Sequence, residues 1–454
     1  MTGAAWGTHK TSPDRLANWF RAPSRFLGRL RVRAQSPERS VSANMNIRFY
    51  RFVDRFLGTP ICALLSAFNR LSVRQAGVAP PRRILIILLS EMGSLVLANE
   101  MLARLKQQYP GASLHALLFA RNREAVELLG VIPAENVLTL EDRSLTRLAL
   151  DVLRVLRVLR ALQVDVVIDC ELFARVSSIL SYLSGAPLRV GFHRHTQEGL
   201  YRGSFLNRPV LYNPYRHISE QFLGLAAAIE SATLPAGKHA PSPIRETLPR
   251  VPVREEELEE RIRQLHADFP TLEGKSLVLV YASGGILPIR AWPLEHYCRL
   301  CASLLGDGHA IGIIGLKQDA PLGQAIVAHC RDAHCVDLTG YTDSMRHLFA
   351  LFHRASLLVA NDGAPGQFAA LTVLPTILLF GPETPLLYGP LSPNVHCLHL
   401  PLLCSPCLTA YNHRASPCDG DNQCLKQITP EQVLAKAREL LGTGAAVGRN
   451  NDAR

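Results

Sequence analysis

Two patterns of apolar and polar residues alternate along the chain. Short unbroken apolar runs, such as Ile84–Leu89, predict strands buried on both faces. Stretches with apolar residues three and four apart predict helices. In the first half, strands are expected at Ile84–Leu89, near 113–119, near 136–139, at Val164–Asp169 and at Leu188–Phe192. Helices are expected over about 94–108, over Ser144–Leu162 with its recurring leucines, and over about 172–184, where Gly185 gives a natural stop. The second half repeats the scheme. Strands fall at Leu277–Ala282, Ala310–Gly315, Leu357–Ala360 and Thr376–Phe380, and helices at about 294–305, Asp343–Arg354 and Gly366–Leu371. Such alternation specifies parallel sheets with helices on both faces. The expected fold class is α/β, with two Rossmann-like domains facing a cleft lined by strand carboxyl ends.

The same pattern sets the expected boundaries. Residues 81–232 form the first domain, 233–255 a proline-rich linker, and 256–441 the second domain, with a Cys-rich segment at 404–424. Residues 442–454 are a tail. Residues 1–44 are rich in Arg, Ser, Ala and Pro without steady periodicity and are expected to be disordered. Met45, directly before the next periodic stretch, is a candidate start.

Charge refines this picture. Apolar residues make up 48% of the chain and charged residues 19%, which excludes global disorder. The formal charge of +11 is uneven, because residues 1–51 hold ten Lys and Arg against Asp14 and Glu38. A basic segment seeks nucleic acid or an anionic membrane. Residues 45–80 favour the membrane, since aromatic and aliphatic residues there alternate with Arg48, Arg51 and Arg55. An ordinary helix packed on the body is the competing reading. No apolar run reaches the roughly 18 residues of a spanning helix. No secretory signal is expected, because no compact apolar core follows a basic start. Eleven cysteines, an odd number, point to a reducing compartment. A nucleic-acid role is not expected, because no recognition motif accompanies the separable basic tail.

The most chemical segment is Leu357-Leu-Val-Ala-Asn-Asp-Gly-Ala-Pro-Gly-Gln-Phe-Ala-Ala-Leu371. A buried strand ends there in a polar, glycine-rich turn before a helix. Its backbone N–H groups and helix dipole suit a phosphate, and Gly363 and Gly366 allow close approach. A plain turn in which Asn361 and Asp362 cap the helix is the competing reading. Upstream lies Asp337-Leu-Thr-Gly-Tyr-Thr342, and downstream Phe380-Gly-Pro-Glu-Thr-Pro385 and Tyr388-Gly-Pro390.

Together these segments resemble glycosyltransferase family 9, which includes the lipopolysaccharide heptosyltransferases. The family pattern runs D-L-T-G, then N-D-[ST]-G-P-x-H, then F-G-P-T-x-P. The resemblance covers about residues 82–440 and includes Val166–Asp169, Ser184-Gly-Ala-Pro187, Val190-Gly-Phe192 and Ala291-Trp-Pro-Leu-Glu295. It implies a GT-B fold that inverts the anomeric centre with no cofactor required. It also implies a nucleotide-sugar donor in the second half and a lipid-linked or envelope saccharide acceptor in the first. The implied place of work is cytoplasmic, peripheral on the inner face of the cytoplasmic membrane.

Carried over by position, Ser283, Gly284 and Arg290 meet the donor diphosphate, with Arg290 where the family usually has Lys. Thr342, Asn361, Asp362, Gly363 and Ala364 complete the donor side. Gln367 stands where the family has His, so it can hydrogen-bond but not titrate. On the acceptor side, Leu88-Leu-Ser-Glu-Met-Gly-Ser94 matches K-x-S-x-x-G-D at Ser90 and Gly93. Leu88 replaces the Lys, and Ser94 replaces the Asp that is the family's usual base candidate. Glu91, in the same turn, is the expected base, helped by Ser94; a helix cap is its competing role. Glu171 and Arg175, after the strand ending at Asp169, are expected to face the acceptor. Cys404, Cys407, Cys418 and Cys424 have spacing that can hold a structural zinc ion or iron–sulfur cluster, or else remain unligated. Two rivals to the transferase reading share this build: a nucleotide-sugar-binding protein without turnover and a sugar-nucleotide epimerase.

Overall fold

The computed structural model of the protein describes residues 47–71, 80–89, 91–142, 144–238 and 250–451. The basic tail 1–44, Met45, Ser90 and residues 239–249 of the linker lie outside them, as does the side chain of Arg48.

Two helices come first, α1 (Ile47–Phe56) and α2 (Gly58–Leu71). The first sheet then builds from β1 (Arg83–Ile87), β2 (Ser113–Phe119), β3 (Val137–Leu140), β4 (Val166–Asp169), β5 (Leu188–His193) and β6 (Arg208–Leu211). Its helices are α3 (Met92–Leu97), α4 (Asn99–Gln108), α5 (Arg123–Leu129), α6 (Leu145–Leu162), α7 (Arg175–Leu183) and α8 (Ile218–Ala227). After α9 (Glu255–Asp268), the second sheet contains β7 (Leu277–Tyr281), β8 (Ala310–Gly315), β9 (Cys335–Thr339), β10 (Leu357–Asn361), β11 (Thr376–Phe380) and β12 (Val395–His399). Between and after these strands run α10 (Leu294–Gly306), α11 (Ala320–Cys330), α12 (Met345–Arg354), α13 (Ala364–Ala369), α14 (Pro385–Tyr388), α15 (Gln423–Lys426) and α16 (Pro430–Asn451).

Both sheets are wholly parallel and share one topology. The first runs β3-β2-β1-β4-β5-β6 and the second β9-β8-β7-β10-β11-β12. This is the doubly wound order in which the winding reverses between the first and fourth strands. A crevice opens at each reversal, beyond the strand carboxyl ends. The loops after β1 and β4 flank one crevice. The loops after β7 and β10 flank the other. The two Rossmann-like domains of the expected fold are therefore present, and they meet along these loop ends.

The central strands were legible because both faces are covered. In β7, β10 and β11 every residue is buried. Three of the four edge strands, β6, β9 and β12, escaped the sequence reading, while the fourth, β3, was expected near 136–139. In β12 every residue is only half-buried, so no apolar run marks it. The helix expected over 94–108 begins at Met92 and is divided at Ala98. Gly185, expected to stop a helix, follows α7 with φ +84, a conformation that favours glycine.

One buried ion pair organises the first crevice. Asp169, ending β4, and Arg202 are both fully buried and paired. Arg202 also donates to the Ser177 hydroxyl at 2.9 Å and to the carbonyl of Glu171 at 2.9 Å. Burial pushes the Asp169 carboxyl above its ordinary value, while Arg202 and Ser177 oppose that rise. The arrangement shapes the loop after β4, which in turn reaches the loop after β1. Arg202→Met would leave Asp169 buried and unpaired. The expected loss is about 3–5 kcal/mol of stability. Urea unfolding reads it directly, and an unchanged midpoint would contradict the role assigned to the pair.

Candidate active site

The loop after β1 presents Glu91 and Ser94 together. The Ser94 hydroxyl donates to Glu91 Oε2 at 2.8 Å, so one carboxylate oxygen is fixed by its own turn. Glu91 stands at the start of α3 without making a side-chain cap bond, so the competing capping role is not the one it fills. Its other oxygen pairs with Arg414 of the Cys-rich segment, 323 residues further along.

Arg414 begins a chain of alternating charges across the cleft. Its Nε lies 3.3 Å from Glu383 Oε1. Glu383 Oε2 lies 2.6 Å from Arg290 Nη2, and Arg290 Nε lies 3.6 Å from Asp362 Oδ2. The order is Glu91, Arg414, Glu383, Arg290, Asp362. Arg414 also lies over the Tyr388 ring at 5.1 Å. Three carboxylates face two guanidinium groups in a site where most of these side chains are nearly covered. The electrostatics follow. Burial pushes Asp362 up to about 7, with Arg290 pulling it back and Glu383 adding to the rise. Burial alone would raise Glu383, but Arg414 and Arg290 outweigh it and hold that carboxyl below its ordinary value.

The turn after β10 meets the loop after β1 directly. A Cβ on Gly93 would stand 3.1 Å from Gln367 Cγ and 3.8 Å from Ala364 Cα, so the absence of a side chain lets the two halves touch. Gln367 Nε2 donates to the Tyr388 carbonyl at 2.7 Å, while its Oε1 is buried with no hydrogen-bond partner among the described residues. Asp362 Oδ2 makes no hydrogen bond but lies against Arg290 Nε at 3.6 Å. Buried polar atoms are normally satisfied, so Gln367 Oε1 marks a place where a ligand group fits. A Cβ on Gly363 would meet nothing nearer than 3.9 Å beyond its chain neighbours, so space remains beside that residue.

Several expected site residues have other work. Asn361 is fully buried. Its Oδ1 accepts from Trp292 N at 3.0 Å and the Tyr297 hydroxyl at 2.8 Å, while its Nδ2 donates to the carbonyls of Ala282 and Ser283. It ties β10 to the loop carrying Arg290 and has no capacity left for a donor. Ser283 donates to Asp319 Oδ1 at 2.8 Å. Gly284 is needed by its own turn, since a Cβ would meet Leu287 O at 2.7 Å. Gly366 serves packing, because a Cβ there would overlap the Leu378 side chain. Thr342 sits half-buried in the loop between β9 and α12. The helix that follows the turn, α13, is six residues long.

Two acceptor-side expectations are corrected. Glu171 Oε1 accepts from Leu89 N at 2.6 Å, so it positions the β1 loop from beneath. Arg175 is buried and paired with Asp54 of α1 at 3.2 Å, so it anchors α1 and does not face the cleft. Nothing among the described residues supports a metal centre at the cysteines. Cys407 Sγ meets Ser416 Oγ at 3.1 Å, Cys418 Sγ lies near Asn422 Oδ1 at 3.7 Å, Cys404 is exposed and Cys424 is buried. Among the described residues no three His, Cys, Asp or Glu side chains converge as metal ligands. The segment's visible role is to carry Arg414 into the cleft.

Sequence reading passed over Glu383 and Arg414. A signal for Glu383 was present, because it interrupts the Phe-Gly-Pro-Thr pattern with an acid. Arg414 had none beyond its charge.

The raised Asp362 value predicts a pH effect. Its ordinary value is 3.8 and its native value about 7. Between them the folded protein keeps a proton that the unfolded chain has released. That contribution is full below the ordinary value and is lost as pH rises through about 7. Asp362→Asn removes the titration. The melting temperature of the ligand-free variant should therefore fall less steeply than the unaltered protein's between about pH 5 and about pH 7. Equal slopes would refute the assignment.

Comparison with known proteins agrees with this architecture. The family model described as glycosyltransferase family 9 (heptosyltransferase) matches residues 152–415. Lipopolysaccharide heptosyltransferase 2 of Salmonella typhimurium is 24% identical over 270 residues, which span 58% of this chain and 72% of that protein. Lipooligosaccharide heptosyltransferase 2 of Haemophilus ducreyi is 23% identical over 371 residues, 79% of this chain and 99% of the relative. The structure of the ADP-heptose lipopolysaccharide heptosyltransferase II of E. coli superposes with a TM-score of 0.61 at 21% identity, covering 80% of this chain and 99% of that one. It shares the fold, two parallel sheets in the GT-B arrangement. With more than half of its length matched by the family model, the chain belongs to glycosyltransferase family 9.

Proposed function

We propose that the protein transfers a heptosyl or hexosyl group from a nucleotide sugar to a hydroxyl of a lipid-linked or cell-envelope saccharide, with inversion and without a metal. The observation that carries this reading is the position of Glu91. It is oriented by Ser94 on one wall of the cleft, and Arg414 links it to the Glu383–Arg290–Asp362 cluster on the other.

In this reading the donor lies against Gly363, Ala364 and Gln367, with its diphosphate toward Arg290. The acceptor hydroxyl displaces Arg414 from Glu91. Glu91 takes the hydroxyl proton as the new bond to the anomeric carbon forms. The bond from that carbon to the diphosphate oxygen breaks on the opposite face, and its electron pair leaves with the diphosphate. Arg290, joined by the released Arg414, offsets the developing charge; Arg can do so bidentately. Asp362 and Glu383 hold the two guanidinium groups in place until the diphosphate replaces them. The relatives' names support a heptose donor and a lipopolysaccharide-type acceptor.

The same reading places the protein on the inner face of the cytoplasmic membrane, in contact with anionic lipid and without a nucleic-acid partner. Its support is the outer face of α1 and α2. Phe49, Phe52, Phe56, Ile61, Leu64 and Phe68 are all more than 40% exposed there. No described helix is long and apolar enough to cross a membrane.

Thermal stabilisation by a panel of ADP-, GDP-, UDP- and CMP-sugars identifies the donor. With that donor, Glu91→Gln should lower kcat by about 10²–10⁴-fold and keep the donor-induced shift. Near-normal turnover by this variant would remove Glu91 as the base. Arg290→Ala should cost about 10²–10³-fold in kcat through the leaving group. If no nucleotide sugar stabilises the protein, the transferase reading itself falls.

A further inference from the structure

The α1–α2 pair is attached to the body in an inverted way. Its inner face is built of small and mostly polar residues, with Gly58, Cys62 and Ser66 buried there. Asp54 accepts from the backbone N–H groups of Arg175 at 2.9 Å and Val176 at 2.8 Å, capping α7, and also pairs with the Arg175 guanidinium. Ser66 Oγ accepts from Ser204 N at 2.8 Å and lies 3.1 Å from the Tyr201 hydroxyl. Arg189 donates to Asn69 Oδ1 at 3.2 Å. Gly58 lets α2 approach closely, since a Cβ there would stand 2.9 Å from Arg175 Cβ. The large apolar side chains point the other way, into solvent. A helix pair docked by its polar face is not stabilised in water by its own outer surface.

A groove of about 420 Å³ opens where this pair meets the body. Arg55, Phe56 and Pro60 line it from the helices, Arg175 from the start of α7, and Arg194 and Tyr201 from the loop after β5. It holds three guanidinium groups. Asp54, the carboxylate beside them, is already engaged by Arg175 and the α7 cap. Arg55 and Arg194 have no carboxylate partner among the described residues, and Arg194 lies 5.2 Å over the Tyr201 ring. Arg175 Nε is buried without a hydrogen-bond partner. The groove is thus cationic on one side and apolar at its rim, where Phe56 is 57% exposed. That rim continues into the outward apolar face.

We propose that this groove binds the phosphate of a membrane phospholipid, with the acyl chains lying along Phe56 and the outer face of α1 and α2. The ligand chemistry is a phosphate ester, matched by guanidinium forks. A bilayer lipid is the source because the phosphate site and the apolar strip adjoin. The consequence concerns the active site. Arg51, on the inner side of α1, reaches the Arg414 carbonyl at 3.5 Å. A lipid held under α1 therefore sets the mouth of the Glu91 cleft at the bilayer surface, where a lipid-linked acceptor arrives. This inference rests on the membrane reading above and adds a discrete headgroup site to it.

The test uses the full chain and vesicles of phosphatidylcholine with or without phosphatidylglycerol. The double variant Arg55→Gln, Arg194→Gln should lose binding to the anionic vesicles by about tenfold or more, given roughly a fewfold per Arg at a charged surface. Its stabilisation by the nucleotide sugar should be unchanged. Arg157→Gln with Arg160→Gln, which removes equal charge from the exposed face of α6, should retain binding. Phe52→Ser with Leu64→Ser should weaken binding to both vesicle types. If the α6 variant loses as much as the groove variant, diffuse charge replaces the site and the proposal is overturned. It is also overturned if the groove variant binds like the unaltered protein; weakened binding by Phe52→Ser with Leu64→Ser would then leave the membrane reading standing. If inorganic phosphate stabilises the protein through these arginines while vesicle binding is unaffected by their loss, the groove takes a soluble phosphate and the lipid assignment fails. Absence of binding to any vesicle removes both the site and the membrane reading.

Discussion

The cleft depends on one electrostatic constraint: charges that are largely withheld from water must alternate. Glu91, Arg414, Glu383, Arg290 and Asp362 satisfy it in sequence across the two halves. Removing a single partner from such an arrangement leaves an unpaired buried charge, which is far costlier than losing the pair. Burial, with Glu383 beside it, raises Asp362 to about 7 against the pull of Arg290. The same chain joins the halves physically, since Glu91 belongs to the first sheet's loops and Arg414 to the segment after the second sheet.

This chain is also suited to exchange. A diphosphate offers the guanidinium groups the same kind of partner that Glu383 and Asp362 now provide. The neighbouring polar residues look secondary in sequence yet hold this geometry. Asn361 ties the Arg290 loop to β10 with four hydrogen bonds, and Glu171 supports the Glu91 loop through Leu89 N. Their substitution should disturb the site by displacing it.

The α1–α2 pair extends the argument to the protein's surroundings. Asp54 fixes α1 to the start of α7, and Arg51 on the same helix reaches the Arg414 backbone. One rigid helix thus has its apolar face outward and its polar face against the cleft. Whatever orients that outer face also orients the cleft beside Arg414.

Sequence alone determined the sheet-forming runs, the repeated strand–helix order and the polar turns that end β1 and β10. These are local properties, set by the period of apolar residues and by glycine, serine and asparagine at strand ends. It also placed Glu91 and Ser94 correctly in one turn, because residues three apart at a helix start are neighbours. Three of the four edge strands, β6, β9 and β12, were lost because half-buried strands carry no long apolar run. Tertiary structure decided the partners. Nothing local distinguishes an Arg that anchors a helix, as Arg175 does, from one that completes an active site, as Arg414 does. Asn361 sits in the most ligand-like motif of the chain, yet the packing of β7 beside β10 consumes its whole hydrogen-bonding capacity. A polar side chain's function is set by what the packed sheets bring within about 3 Å of it, and Arg414 and Glu91 lie 323 residues apart.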